Sequence, residues 1–253
     1  MQEEVAYQMT GDAQGEAILR AYENRFGFEV FERDDGFVSI AFGPQQYLAQ
    51  YPEWIGHEKE AIEYARGRCL DVGCGAGRVA LHLQDKGIGV VSIDSSPLAI
   101  KVCRLRGVRD ARLASLEDFI KNGRPGAFDT VIMFGNNFGV LENLEKGKRL
   151  LKELHKTTKE NGLIIAESRD PYINDDPVHA GYYKRNIEGG KLPGQIRMRI
   201  RFLQYSTGWF DYILAAKGEM EGILSGTGWR VIKYIDDPDF SNNGEYIAVI
   251  GKC

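Results

Sequence analysis

Leu70-Asp71-Val72-Gly73-Cys74-Gly75-Ala76-Gly77 is a strand running into a glycine turn. The lead-in Arg68-Cys69-Leu70-Asp71-Val72 has the composition of a short buried strand. Val79, Ala80, Leu81 and Leu83 then fall on the inner face of a helix. Glycine at 73, 75 and 77 lets the backbone turn sharply and approach a ligand without Cβ interference. The helix that follows turns its free N–H groups and positive dipole end toward that ligand. The spacing excludes two common phosphate grips. A G-x-G-x-x-G dinucleotide turn needs a glycine where Arg78 stands. A Walker loop needs Gly-Lys-Ser/Thr, which is absent. Asp71, beside the turn, opposes a pyrophosphate and attracts an ammonium group.

Strands and helices alternate downstream. Gly89–Asp94 reads as a second strand ending in an acid 17 residues beyond Gly77. A carboxylate at that place can accept hydrogen bonds from a ribose hydroxyl pair. Ser95-Ser96-Pro97 opens a helix, with serine as cap and proline in the first turn. Asp110–Ala114 is a third strand, followed by Ser115-Leu116-Glu117-Asp118-Phe119, where Ser115 suits a helix cap. Ala127–Phe134 has the near-continuous apolar run of a central parallel strand. It exits into Gly135-Asn136-Asn137-Phe138-Gly139, where Asn137 either orients a substrate amide or hydroxyl or serves as a turn residue. Glu142–Lys159 is an amphipathic helix closed by Asn161-Gly162, and Leu163–Glu167 is a fifth strand.

From Arg68 to Lys252 the chain resembles the class I S-adenosylmethionine-dependent methyltransferases. Four stations carry the resemblance: the acid and x-G-x-G-x-G pattern at Asp71–Gly77, Asp94, the segment after the third strand, and Phe128-Asp129-Thr130-Val131. It implies an α/β fold with a seven-stranded doubly wound sheet, order 3-2-1-4-5-7-6, strand seven antiparallel. The ending agrees, because Arg230–Ile235 and Glu245–Lys252 read as a terminal hairpin rather than another βα unit. The resemblance also implies S-adenosylmethionine as cofactor, held by Asp71, Gly73, Cys74, Gly75, Gly77, Asp94, Ser95 and Phe134. Ser115 and Leu116 would lie at the adenine; Glu117 and Asp118 come late for that role. The Asn/Asp-Pro-Pro-aromatic signature of amino-methylating nucleic-acid enzymes is missing, as is the Pro-Cys dipeptide of the cytosine C5 type.

Residues 1–67 sit where this family carries a variable cap, ahead of a methyltransferase domain at 68–253. Gly15–Arg25 has helical spacing. Phe28–Arg33 and Phe37–Phe42 flank Asp34-Asp35-Gly36 as a hairpin. Tyr47, Tyr51 and Trp54 either line the pocket or pack the cap onto the core, and Glu53–Arg66 reads as a helix. Residues 170–212 or so form an inserted antiparallel lid. Within it Gln195–Phe202 alternates strictly, with Ile196, Met198, Ile200 and Phe202 on one face and Arg197, Arg199 and Arg201 on the other. That arginine row could grip an anionic substrate or RNA, or form a solvated face paired with acids. Asn137, His179, Tyr182 and Arg199 are the expected substrate contacts.

Composition narrows the function. The 253 residues are 43% hydrophobic, enough for one sizeable core with an appended subdomain. A net charge of −4 gives no global footprint for nucleic acid. No apolar run approaches a membrane span, and Met1–Val5 lacks a signal-peptide core, so a cytoplasmic protein is expected. Cys69, Cys74, Cys103 and Cys253 make no C-x-x-C pair and no zinc spacing, so reduced thiols and no metal are expected. The expected function is methyl transfer from S-adenosylmethionine to a small-molecule acceptor by in-line displacement. The alternatives are RNA methylation on the Arg197–Arg201 face and cofactor binding without turnover. A neutral amine or thiolate acceptor needs no base, whereas a hydroxyl acceptor does, with His179, Asp170 and His57 as candidates.

Overall fold

The computed structural model describes residues 9–40, 43–121, 123–173, 177–236 and 244–253, which build two sheets. In chain order the N-terminal elements are β1 (Met9–Thr10), α1 (Ala13–Tyr22), β2 (Val30–Arg33), β3 (Val38–Ile40) and α2 (Gly56–Ile62). The alternating core follows with β4 (Cys69–Val72), α3 (Arg78–Asp85), β5 (Val90–Asp94), α4 (Pro97–Leu105), β6 (Ala111–Leu113), α5 (Leu116–Lys121), β7 (Phe128–Met133), α6 (Leu144–Thr157) and β8 (Thr158–Arg169). Then come α7 (Pro177–Glu188), β9 (Gln195–Phe202), β10 (Tyr205–Ser206), β11 (Phe210–Ile213), α8 (Lys217–Leu224), β12 (Trp229–Asp236) and β13 (Glu245–Lys252).

The large sheet has the order β12-β13-β8-β7-β4-β5-β6. Renumbered within the core, this is the expected 3-2-1-4-5-7-6 read from the other edge. β13 is antiparallel to both neighbours, and the pairs among β8, β7, β4, β5 and β6 are parallel. All four residues of β4 are buried, as a strand covered on both faces requires. Leu70, Val72, Val131 and Met133 pack with α5, α6 and α8 on one side. Cys69, Ile132 and Ile165 pack with α2, α3 and α4 on the other.

The second sheet has the order β1-β10-β9-β2-β3, with β11 also on β9. Its central pairing is β2 with β9, registering Phe31 with Ile200 and Glu32 with Arg199. The expected N-terminal hairpin and the expected inserted strands are thus one sheet. α1 wedges between the two layers. Ala13 and Ala17 meet Met198, Ile200 and Phe202 of β9, and Ile18 meets Ala99 and Val102 of α4.

Several boundaries differ from the sequence expectation. α1 starts at Ala13 because Asp12 caps it, accepting from Gly15 N at 2.9 Å. The helix expected over Glu53–Arg66 is a 3₁₀ turn at Tyr51–Glu53 followed by α2 alone, since Trp54 and Ile55 are extended. α6 ends at Thr157, before Asn161-Gly162. The Thr157 and Thr158 hydroxyls donate to the carbonyls of Glu153, Leu154 and His155, ending the ladder and releasing the chain into β8. α7 carries no apolar stripe to read, because only Tyr182 and Asn186 in it are buried. Met1–Val5 and the Ala41-Phe42 end of the expected hairpin lie outside the described residues.

Gly77 caps α3 in the left-handed region at φ 78°. A Cβ there would lie 2.5 Å from Val108 Cγ2 and 3.0 Å from Cys103 Sγ. Left-handed strain of about 1–2 kcal/mol and overpacking of about 1–3 kcal/mol both act on Gly77→Ala. The expected outcome is a loss of roughly 2–5 kcal/mol in urea unfolding, with an unchanged denaturant slope.

Candidate cofactor and acceptor site

The glycine turn lies at the carboxyl end of β4, beside β5 and β7, where ligands of open parallel sheets bind. Gly73, Gly75 and Gly77 have φ of 68°, 54° and 78°, which glycine adopts freely. Asp94 ends β5 and reaches across to the turn. One of its oxygens accepts from Gly75 N at 2.9 Å and the other from Ser96 N at 2.8 Å. A carboxylate has about four lone-pair sites, so both oxygens keep capacity for further donors. Burial pushes the Asp94 carboxyl up to about 6, against the pull of the Ser96 and Gly75 N–H groups; nearby Asp12 adds to the rise. Asp71 is 2% exposed, and its Oδ2 has no partner among the described residues. Burial pushes it up to about 7, opposed by the Arg78 guanidinium.

Asn137 holds the turn from the far side. Its side-chain amide donates to Val72 O and Gly73 O, each at 3.0 Å. The asparagine expected to touch substrate is therefore engaged with the backbone of the turn. Asn137→Ala is expected to cost about 1–2 kcal/mol in thermal unfolding and to weaken ligand binding at the turn by up to about tenfold. Cys74 and Cys103 pack beneath the turn with Sγ atoms 3.7 Å apart, and Cys103 donates to Gly75 O. All four cysteines are free.

The remaining expected residues separate into two groups. Phe134 is buried at the end of β7, edge-on to Trp54. Ser95 is exposed after β5, Leu116 is buried in α5, and Ser115 binds Asp118 in the manner of a helix cap. His179, Tyr182 and Arg199 are tied up elsewhere. His179 Nδ1 lies 3.1 Å from Arg33 Nη1. The Tyr182 ring sits between Arg33 and Arg185, and its hydroxyl accepts from Arg197 N. Arg199 forks onto Glu32 and covers Trp209. Arg201 also bonds Glu32, and Arg197 bonds Asp211. The arginine row is thus a face paired with acids, three guanidiniums against the two carboxylates Glu32 and Asp211.

The candidate bases fare similarly. Asp170 accepts from Tyr172 N in a turn. His57 is 1% exposed, with Nε2 3.3 Å from Glu167 Oε1, while Glu167 Oε2 accepts from Gly135 N at 2.6 Å. Glu167 therefore fixes the loop after β7. Arg78, which fills the absent third-glycine position, forks onto Glu58 and lies over Trp54, tethering α2 to α3. Of the aromatic cluster, Tyr51 stacks on His82 and Trp54 packs among the same groups. Tyr47 alone of the three comes over the turn, its Cδ1 3.5 Å from where a Gly75 Cβ would be.

Three groups that the sequence hides complete the picture. Glu29, just before β2, is 0% exposed, and neither carboxyl oxygen has a hydrogen-bond partner by distance and angle among the described residues. Tyr47 is the polar group that acts on it. Tyr212 of β11 donates to the Asn136 backbone oxygen, while Asn136 Oδ1 is buried without a partner. Among the described residues no helix is long and apolar enough to cross a membrane, and no group of three or more His, Cys, Asp or Glu could hold a metal ion.

Comparison with known proteins accords with this geometry. Residues 70–166 match a family model described as a methyltransferase domain. A glycine/sarcosine N-methyltransferase of Parasynechococcus marenigrum (strain WH8102) is 30% identical over 206 residues, spanning 75% of this chain and 73% of that protein. A ubiquinone biosynthesis O-methyltransferase of Xanthomonas euvesicatoria pv. vesicatoria (strain 85-10) is 38% identical over 97 residues, spanning 36% of this chain and only 40% of that protein. A crystal structure of an S-adenosylmethionine-dependent methyltransferase from Bacteroides fragilis, in complex with S-adenosylhomocysteine, superposes with a TM-score of 0.78 at 25% identity. The match covers 96% of this chain and 95% of that one.

Proposed function

Because this chain belongs to the class I S-adenosylmethionine-dependent methyltransferases, we propose that it transfers the cofactor's methyl group to a small-molecule acceptor by in-line displacement. The observation that carries the reading is the tie between the strand-end carboxylate of Asp94 and the N–H of Gly75. It fixes a two-oxygen acceptor beside a glycine turn. When bound, the cofactor supplies a methyl group already activated on a sulfonium. The chain's part is to bind, orient and enclose. Asp94 takes the ribose hydroxyls on its remaining lone pairs, with Ser95 alongside. Asp71 offers its unpartnered oxygen to the cationic end, and Gly73, Cys74, Gly75 and Gly77 let the backbone come close. Ser115, Leu116 and Phe134 flank the base. Asn137 keeps the turn in place as a positioning residue, and Tyr47 covers it from the 3₁₀ turn Pro44–Leu48 that follows β3. Such positioning can supply roughly 7–11 kcal/mol of barrier reduction.

The test is a calorimetric titration with S-adenosylmethionine, followed by incubation with methyl-labelled cofactor and separate small-metabolite and RNA pools. One-to-one binding with label in the small-metabolite pool is expected. Binding with label only in RNA, or with none transferred, would overturn the acceptor class or the turnover respectively.

A further inference from the structure

We propose that Glu29, with Tyr47, Tyr212 and Asn136, forms a recognition site for a cationic amine, and that the methyl acceptor is that amine. This inference rests on the methyltransferase reading above and narrows its substrate class. Among the described residues the enclosed Glu29 carboxylate has Tyr47 as its one polar neighbour and no compensating charge; such a group is costly, and native chains rarely keep one without a ligand or partner to complete it. No lysine or arginine among the described residues acts on Glu29. Its environment is aromatic and phenolic instead.

Tyr47 links Glu29 to the glycine turn. Its ring lies against Gly75, its hydroxyl accepts from Gln14 Nε2 at 3.3 Å, and it feels Glu29 and Tyr212 electrostatically. Tyr212 in turn donates to Asn136 O, in the loop whose next residue, Asn137, clamps Gly73. Glu29 is therefore connected through two rings to the carboxyl ends of β4 and β7, the place where methyl transfer is proposed.

The unsatisfied atoms of these four residues are acceptors, both oxygens of Glu29 and Oδ1 of Asn136; the cation acting on the group is Arg169, which acts on Tyr212 with its own Nε unpartnered and is opposed there by Glu167. A hydroxyl acceptor brings one donor and leaves the carboxylate charge uncompensated. An ammonium group brings up to three donors and a compensating charge, and tyrosine faces attract it further. Burial also pushes the Glu29 carboxyl up to about 7, so it can take a proton near neutrality. The step balances simply. An ammonium N–H bond breaks, its electron pair stays on nitrogen as the nucleophilic lone pair, and the proton passes to a Glu29 carboxylate oxygen.

The experiment uses the full chain and its Glu29→Gln and Glu29→Asp variants. Each is titrated with S-adenosylmethionine. Each is then assayed for labelled methyl transfer to glycine, sarcosine and phenethylamine, and to the hydroxyl counterparts glycolate and 2-phenylethanol. The infrared band of a buried protonated carboxyl is followed across pH 5–9. Glu29→Gln removes an unpaired buried charge without changing shape, so its melting temperature is expected to equal or exceed the parent's. Expected are transfer to at least one amine and to neither hydroxyl, and a loss of about 100-fold or more in kcat/KM in Glu29→Gln. The part of the carboxyl band that titrates with Glu29 should be lost in that variant, leaving the parts due to Asp71 and Asp94; cofactor affinity should stay within about twofold, and Glu29→Asp should recover part of the rate. Preferential hydroxyl transfer, no amine transfer, an undiminished variant, or a parallel loss of cofactor affinity would each overturn the inference. The last outcome would assign Glu29 to the cofactor's own ammonium group. Absence of cofactor binding in the parent chain would overturn the methyltransferase reading instead.

Discussion

Asp94→Ala is expected to abolish measurable S-adenosylmethionine binding, weakening it by at least about 100-fold, while the chain still folds. Two effects act together. The carboxylate presents its free lone pairs to the ribose hydroxyls, and hydrogen bonds to a charged group are each worth about 1.5–3 kcal/mol. The same oxygens accept from Gly75 N and Ser96 N. Removing them strands two backbone donors, at about 1–3 kcal/mol each where water cannot replace the partner. Asp94→Asn separates these roles. Its amide oxygen can still accept from Gly75 N, but its NH2 then faces the Ser96 N–H, so stability should return about halfway, and binding should likewise return only in part. Calorimetry and thermal melting on the three proteins decide it. Full cofactor affinity in Asp94→Ala would sink the assignment of Asp94 to the ribose.

The part of this site readable from sequence is the part carried by local backbone demands. Gly73, Gly75 and Gly77 announce a turn because no other residue adopts their dihedrals without strain. Asp94 announces itself because a strand of apolar residues ends on it. The sheet order is implied by the family resemblance, with which the terminal hairpin agrees. What sequence could not show depends on contacts between distant segments. β2 and β9 are about 170 residues apart, yet their pairing merges the cap and the insertion into one sheet. Alternation gave each strand its faces but not its partner. Glu32 lies in one strand and Arg199 in the other, so the pairing of the arginine row could not be chosen from the row alone.

Glu29 was the least legible residue. Within Phe28-Glu29-Val30-Phe31-Glu32-Arg33 it reads as an ordinary polar position of a hairpin, equivalent to Glu32. The structure separates them: Glu32 meets two arginines at the surface, and Glu29 is enclosed without a cation. The segment leading into β2 therefore does more than join elements. It carries a buried acid against Tyr47, which lies over the glycine turn, and the neighbouring aromatic groups decide what that acid can bind.

The ligand-free protein is expected to be most stable near pH 5 and to lose stability steadily toward pH 8. Glu29 and Asp71 are pushed up to about 7 and Asp94 to about 6, in each case mainly by burial. A carboxyl whose folded pKa exceeds its unfolded value binds its proton more tightly when folded. Its contribution is complete below the unfolded value near 4 and is lost as pH rises through the folded value. At 1.36 kcal/mol per pKa unit, Glu29 and Asp71 each contribute on the order of 3 kcal/mol to the decline. With about 2–4 °C per kcal/mol for a chain of this size, the melting temperature should fall by about 12–24 °C between pH 5 and pH 8. The surface acids act oppositely. Glu32, Asp110 and Asp129 are held low by Arg199, Arg112 and Lys159, and their contribution disappears only as pH falls below the ordinary carboxylate range. Glu29→Gln combined with Asp71→Asn should flatten the pH 5–8 decline, because the neutral amides no longer gain charge. Cationic ligands should flatten it too, since they favour the ionised carboxylates, so S-adenosylmethionine should bind more tightly as pH rises through 6 to 7. A melting temperature that is level or rising from pH 5 to pH 8 in the ligand-free chain would show that these acids are already compensated, and would remove the electrostatic reason for a cationic ligand beside them.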